Sequence, residues 1–386
     1  MQKRPVDVNA EELAEVLDRY LEAKGSLGYA IKIVGHPGTG KSALVKQAAQ
    51  RKNLHFIDTR LAFKENIDLG GYPVPDHESR RMIYYRPRFI PPEEVPEGCD
   101  GILWFLDEAN RAHPTVIQTL FQVITEGRCG EHALAEKTVI VMAGNLGEED
   151  HTFITDFDDS ALDGRLGIFH LKPMARHWLL WARTHGIHPS VVQYISRFPE
   201  RLWDASAIHP NPRGWHQLSQ ALTTSWGLHD EGALLGCLDS KEGRILEKTL
   251  ASLVGEMAAS DFVTQMTSPR ALSTHEILSG DLESFSRFER GEIPAEDLLW
   301  AISGGITTVG EMKAAGKEEL VALGHLLRYI GLSRADSRIS FFLMLLRECG
   351  IFTAIPEAIH AVCQGEEAEA LLARFTDIVF DGAEVA

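Results

Sequence analysis

The sequence predicts an α/β chain: a central parallel sheet flanked by helices comes first, and helices alone follow. Three observations predict it. Short apolar, β-rich runs alternate with helical segments from residue 29 to about residue 175, and strands that alternate with helices pair in parallel through crossover connections. A glycine-rich string, "GHPGTGKS" (35–42), stands between the first such run and the first such helix. Beyond about residue 175 the strand signals stop and apolar residues recur at helical spacing. A chain of 386 residues also exceeds one ordinary core, so two or three domains are expected.

The elements follow in order. Leu13, Val16, Leu17, Tyr20 and Leu21 lie at helical spacing, with Asn9 and Glu12 placed as a capping box and Gly25 as a stop, so residues 9–24 form an amphipathic helix. "YAIKIV" (29–34) is the first strand and "SALVKQAAQRK" (42–52) the helix after it. "LHFIDT" (54–59), "GILWFLD" (101–107) and "TVIVMAG" (138–144) are further strands. Between the last two, Ile117, Leu120, Phe121 and Ile124 make one apolar stripe, the face that a helix over 114–126 lays on the sheet. In the C-terminal part, Gly304, Gly331, Gly350 and Gly365 each follow an apolar-periodic segment and read as helix stops. The stretch 266–293, rich in Ser, Thr, Glu and Gly, reads as a linker.

Composition narrows the function. Apolar content of 44% and charged content of 24% suit a soluble globular protein. No apolar run is long enough to span a membrane, and residues 1–25 contain no apolar signal core, so a cytoplasmic location is expected. The formal net charge of −17 disfavours a non-specific binder of nucleic acid or anionic membrane, although a local basic groove survives that argument. Cys99, Cys129, Cys237, Cys349 and Cys363 are far apart and odd in number, which reads as reduced, packed thiols. His185 and His188 form an H-x-x-H pair with no neighbouring ligand at zinc spacing.

"GHPGTGKS" satisfies the pattern GxxxxGK followed by Ser or Thr, with a strand before it and a helix after it. Glycines let the segment Gly35, His36, Pro37, Gly38, Thr39 and Gly40 turn the backbone N–H groups of its non-proline residues inward as an anion nest, and the helix N-terminus adds partial positive charge. Lys41 then reaches the β- and γ-phosphates, and the Ser42 hydroxyl ligates Mg²⁺. The pattern and its setting imply the phosphate loop of a P-loop NTPase. It explains why "WFLDEANRA" (104–112) ends an apolar run in two carboxylates: Asp107 supplies the second metal contact and Glu108 activates the attacking water. Asn145, at the tip of the next strand, is placed to orient that water or to sense the γ-phosphate.

Together with "NRA" after the acidic pair, these elements resemble the AAA+ ATPases, and more narrowly the MoxR-like, helix-2-insert group. "DLGGYPVP" (68–75), "LDEANRAHPTVIQTLFQVITEG" (106–127), "RFPERLW" (197–203) and "NPRGWHQLSQAL" (211–222) carry the likeness, which covers roughly residues 26–225. The resemblance implies a nucleotide-binding core (26–175) followed by an all-α lid (176–265), while helical periodicity alone adds an N-terminal helix (1–25) and a C-terminal helical region (266–386). It also implies ATP and Mg²⁺ as cofactors, a homo-hexameric ring, and remodelling or activation of a partner protein, often one with a von Willebrand factor A domain. The cis arginine of the lid falls on Arg213. The trans arginine falls on Arg165, in "ALDGRL", where Gly164 and Leu166 replace the family's Asp and Phe. Arg111 is a second candidate for contact across subunits.

Two questions stay open at the level of sequence. "SRRMIYYRPRF" (79–89) occupies the place of an inserted hairpin, and its arginines and tyrosines suit either client contact or pairing with acidic neighbours. The alternative function is a nucleic-acid-associated motor or restriction-type nucleotidase, possibly using GTP, since the loop reads phosphates and not the base. A nucleotide-gated scaffold is a third reading, which Glu108 and Asn145 argue against.

Overall fold

Residues 1–3, 24, 26, 148–163, 313–316, 350–353 and 384–386 lie outside what the computed structural model describes. The chain divides into two units, one of Met1–His177 with Trp203–Arg213 and one of Trp178–Leu202 with Gly214–Ala386.

The first unit runs β1 (Val6–Val8), α1 (Ala10–Glu22), β2 (Ala30–Val34), α2 (Lys41–Arg51), β3 (Leu54–Arg60), α3 (Asn66–Gly70), β4 (Tyr72–Asp76) and β5 (Arg81–Tyr85). It continues with β6 (Gly101–Asp107), α4 (Pro114–Glu126), β7 (Arg128–Cys129), β8 (His132–Ala133), β9 (Thr138–Gly144) and β10 (Leu166–Leu171). Six strands form one parallel sheet in the order β1-β10-β2-β9-β6-β3. Alternation along the buried strands divides the core in two. Leu103, Phe105, Val139 and Val141 face α1 and α2, while Trp104, Leu106, Ile140 and Met142 face α4. This is the α/β P-loop architecture expected, followed by helices.

Local chemistry accounts for the helix ends. Asn9 Oδ1 accepts from the Glu11 and Glu12 N–H groups at 2.9 and 3.0 Å, and Asn9 N–H donates back to Glu12 Oε2 at 2.8 Å. In α4, Ile117, Leu120 and Ile124 are buried and Phe121 is partly buried against them, as the stripe requires. Gly127, in the left-handed region at φ 63°, ends that helix.

Several elements differ from the sequence expectation. Strands β1 and β10 were not read from the sequence: β1 has three residues, and β10 is interrupted by Gly167 and His170. Their pairing is reinforced by Asp7, which accepts from Lys172 Nζ at 2.6 Å and pairs with His170 Nδ1 at 3.0 Å. Helix α1 stops at Glu22, short of Gly25. The stretch 266–293 is no bare linker, since it holds helices Thr274–Ser279 and Leu282–Glu289, the first with a Ser273–Glu276 capping box. Gly304 and Gly331 lie inside helices Ala295–Met312 and Lys317–Leu332 and do not end them. A Cβ at Gly304 would strike Thr274 and Gln193, and one at Gly331 would strike Leu371, so both glycines serve close helix packing. The four cysteines with described side chains, Cys99, Cys129, Cys237 and Cys363, are free thiols.

The second unit is helical, with Ile277, Ala301, Ile306, Leu326, Ile330 and Ile359 in its main C-terminal core. His188 caps helix Pro189–Arg197, its Nδ1 accepting from Ser190 N–H at 3.2 Å, while His185 stacks on Trp181. Burial pushes His188 down from 6.5 to about 4. The unfolded chain therefore binds the proton more tightly, and stability present at neutral pH is lost as pH falls from 6.5 towards 4. Unfolding by urea at about pH 5 is expected to show roughly 2 kcal/mol less stability in this unit than at about pH 8. In His188→Asn most of that slope disappears; an unchanged slope would assign it to other groups.

Candidate nucleotide site

Register brings the site together. Val34 at the end of β2 pairs with Gly144 at the end of β9, and Leu106 of β6 pairs with Met142 of β9. The loops after all three strands thus leave the sheet at one end, which is where ligands bind in parallel α/β sheets.

Gly38 and Gly40 take φ values of +80° and +94°, which non-glycine residues resist. Helix α2 starts from Gly40 with no side-chain cap, and the partial positive charge of a helix N-terminus favours an anion there. Lys41 is buried and its Nζ donates to Gly35 O at 2.6 Å, His36 O at 3.0 Å and Asn145 Oδ1 at 3.3 Å. Ser42 Oγ donates to Asp107 Oδ2 at 3.1 Å. A hydroxyl beside a carboxylate is the hard oxygen pair that Mg²⁺ takes. The donors and the cradle therefore fit a nucleotide phosphate chain with its metal.

Asp107 Oδ1 accepts from the Glu108 N–H at 2.8 Å, so both carboxylate oxygens are engaged. Glu108 itself sits at φ 54° in the left-handed region, a conformation that costs about 1–3 kcal/mol in a non-glycine residue. Its Oε2 lies 3.6 Å from Arg111 Nη1. On the neighbouring strand β3, Asp58 has its carboxyl raised above the ordinary range, first by partial desolvation and then by the Asp107 charge. Thr39 Oγ1 donates to His36 O at 2.9 Å, and the His36 ring packs on Trp203, so both the backbone and the ring of His36 take part.

Two residues escaped the sequence reading. The Asn110 side chain donates to Asn145 O and accepts from Asn145 N–H at 3.1 Å, joining the acidic loop to the tip of β9. Gly144 permits that approach, since a Cβ there would lie 2.6 Å from Asn110 Oδ1. Asn211 is buried against Gly38, where a Cβ would lie 2.6 Å from its Oδ1. Asn110→Ala strips two backbone groups of their partners, at about 1–3 kcal/mol. The expected result is a kcat about tenfold lower with nucleotide affinity kept; a normal kcat would remove Asn110 from this role.

The two arginines are placed differently. Arg213 N–H donates to Gly38 O at 3.1 Å, with its side chain exposed beside the loop. Arg165 is level with the residue before Ala30, at the opposite end of the strands from Gly35, roughly 20 Å away at about 3.3 Å per residue. Its guanidinium lies 5.8 Å from the Phe121 ring. The structure does not bring Arg165 to its own chain's site.

No protein-family model matches the chain. Part of it is similar to chaperone protein ClpB of Agrobacterium fabrum, at 29% identity over 136 residues, covering 33% of this chain and 15% of that protein. Heat shock protein 100 of Trypanosoma brucei brucei is 28% identical over 162 residues, 38% of this chain and 18% of that one. Heat shock protein 104 of Schizosaccharomyces pombe is 30% identical over 139 residues, 33% and 15% respectively. The matched segment thus spans less than a fifth of each of these relatives. Among solved structures, NtrX from Brucella abortus in complex with ADP covers 88% of this chain and 68% of its own, with a TM-score of 0.38 and 14% identity.

Proposed function

We propose that this chain is a MoxR-like AAA+ ATPase, which couples ATP hydrolysis to remodelling or activating another protein and works as a homo-hexameric ring in the cytoplasm. The observation that carries the proposal is the convergence of Lys41, Ser42, Asp107, Glu108 and Asn145 at one end of the sheet. The similarity to proteins named as chaperone and heat shock proteins favours a protein client. A von Willebrand factor A domain protein is the client that the sequence resemblance suggests.

The backbone of residues 35–40 and Lys41 would hold the phosphates, and Ser42 and Asp107 would hold Mg²⁺. Bound Mg²⁺ supplies charge neutralisation at the phosphate oxygens. Glu108 takes the proton of the attacking water, and Asn145 orients that water. Arg213 approaches the nucleotide from beside the loop, and Arg165 reaches the neighbouring subunit's site. Among the described residues, no helix is long and apolar enough to cross a membrane.

A nucleic-acid motor or restriction-type nucleotidase, possibly GTP-using, is favoured by one observation: Arg80, Arg81, Arg88, Tyr84 and Tyr85 are exposed on and around β5. Tagged Glu108→Gln, loaded with ATP and Mg²⁺ and purified from nuclease-treated lysate, separates the two. A stoichiometric protein that leaves when ATP is withdrawn supports remodelling. Retention that depends on nucleic acid supports the motor, and GTP outcompeting ATP removes the ATPase label.

A further inference from the structure

The side chains of the hairpin β4–β5 belong to neither core cluster of the first unit. Every residue of β5 is exposed, Met82, Ile83 and Tyr85 at 51, 46 and 63%. Its register pairs Tyr72 with Tyr85, Pro73 with Tyr84, Val74 with Ile83, Pro75 with Met82 and Asp76 with Arg81. In an antiparallel ladder, opposed pairs alternate between those that exchange both hydrogen bonds and those that turn both groups outward. Proline has no N–H, so Pro73 and Pro75 belong to the outward class, and the pairs 72/85, 74/83 and 76/81 carry the bonds.

The two edges of the ribbon are therefore unlike. The outer edge of β4 offers the carbonyls of Pro73 and Pro75 and no donor between them. The outer edge of β5 offers both N–H and C=O of Met82 and of Tyr84. Natural sheets blunt their edges with proline, and this hairpin does so on β4 alone. The ribbon is also held firmly at its base: Arg86 donates to Pro91 O, Glu93 and Ala133 O at 3.1, 2.8 and 2.9 Å. At its tip, Asp76 accepts from Glu78 N–H and from Ser79 Oγ.

Charge and shape describe the occupant. Residues 79–89 contain four arginines and no acid, in a chain of net charge −17. With Arg86 engaged at the base, Arg80, Arg81 and Arg88 remain exposed at the two ends of β5. Apolar groups flank the edge on both faces, Met82 and Tyr84 on one and Ile83 and Tyr85 on the other. A neighbouring copy offering its own β4 edge lacks the donors to fill the ladder. We propose that the β5 edge takes up an extended segment of client polypeptide as a third strand, with acidic residues at the segment's ends and apolar or β-branched residues between. Main-chain hydrogen bonds supply the affinity and the arginines set the ends. The identity of this occupant as a client rests on the remodelling function proposed above. Nucleic acid also suits arginine and tyrosine, but has no use for a peptide edge.

The test uses the full chain and a fluorescein-labelled synthetic peptide of alternating threonine and valine with aspartates at both ends. Met82→Pro and Tyr84→Pro each remove an outward N–H and leave the three bonded pairs intact. Both are expected to raise the Kd at least about tenfold, whereas Tyr84→Ala, which keeps the edge, binds within about threefold of wild type. Unchanged binding in both proline variants overturns the proposal. So does a peptide that fails to bind wild type while labelled single-stranded DNA binds and is lost in Arg80→Ala/Arg81→Ala. Should a proline variant misfold by circular dichroism, the wild-type chain is tested with the peptide N-methylated at alternate residues in both registers. Loss in one register alone supports the edge, and equal binding in both overturns it. ATP turnover is read in parallel: absent turnover with edge-dependent peptide binding defeats the ATPase reading alone, and normal turnover with proline-indifferent binding defeats the edge alone.

Discussion

Glu108→Gln is expected to reduce ATP turnover by roughly 10² to 10⁴, the usual contribution of a positioned general base, while nucleotide affinity stays within about twofold. The split follows from the geometry. Glutamine keeps the length of the side chain and cannot accept the proton, whereas the groups proposed to hold phosphate, Lys41 and the start of α2, are untouched. The strained backbone at Glu108 is expected to remain, since it is fixed by the Asp107 Oδ1 bond to the Glu108 N–H and not by the side chain. Steady-state phosphate release and equilibrium binding of a fluorescent ATP analogue read the two quantities separately. Turnover unchanged by the substitution would take Glu108 out of the base role and leave its left-handed conformation without a catalytic reason.

Arg165→Ala is expected to lose about 10³ to 10⁵ of turnover if the guanidinium neutralises transition-state charge in an adjoining site. Because Arg165 is roughly 20 Å from its own phosphate loop along the strand direction, any such effect must act between chains. Mixing Arg165→Ala with Lys41→Ala chains gives the decisive reading. The first supplies an intact loop and the second supplies the arginine, so activity absent from each alone returns in the mixture. No recovery, with assembly intact by light scattering, would leave Arg165 as a residue packed on Phe121.

What the sequence made legible was local. Strands β2, β6 and β9 announced themselves as apolar runs because both sheet faces are covered, the edge strand β3 as a β-rich run with only Leu54 and Thr59 buried, and α4 through Ile117, Leu120 and Ile124. The glycine, lysine and carboxylate positions proposed for the site were picked out because phosphate and metal chemistry fixes residue types at short spacing, and the fold brings Lys41, Ser42 and Asp107 to one end of the sheet. What was missed depends on distant partners. Strand β1 has three residues and exists by pairing with β10. Gly304 reads as a stop until Thr274 and Gln193 are seen against it. Asn110 carries no signal of its own, because its role comes from the backbone of Asn145, which only the sheet register brings near. The placement of Asn211 against Gly38 is likewise a contact between segments far apart in the chain.

The unlike edges of the hairpin also bear on how the protein behaves when concentrated. A ribbon with two open edges is a bifunctional monomer, and strands can add at both sides without limit, which is the route to a fibril. With Pro73 and Pro75 on β4, this ribbon is monofunctional. Two copies that met through their β5 strands would form a four-stranded piece whose outer edges are both proline edges, and growth would terminate there.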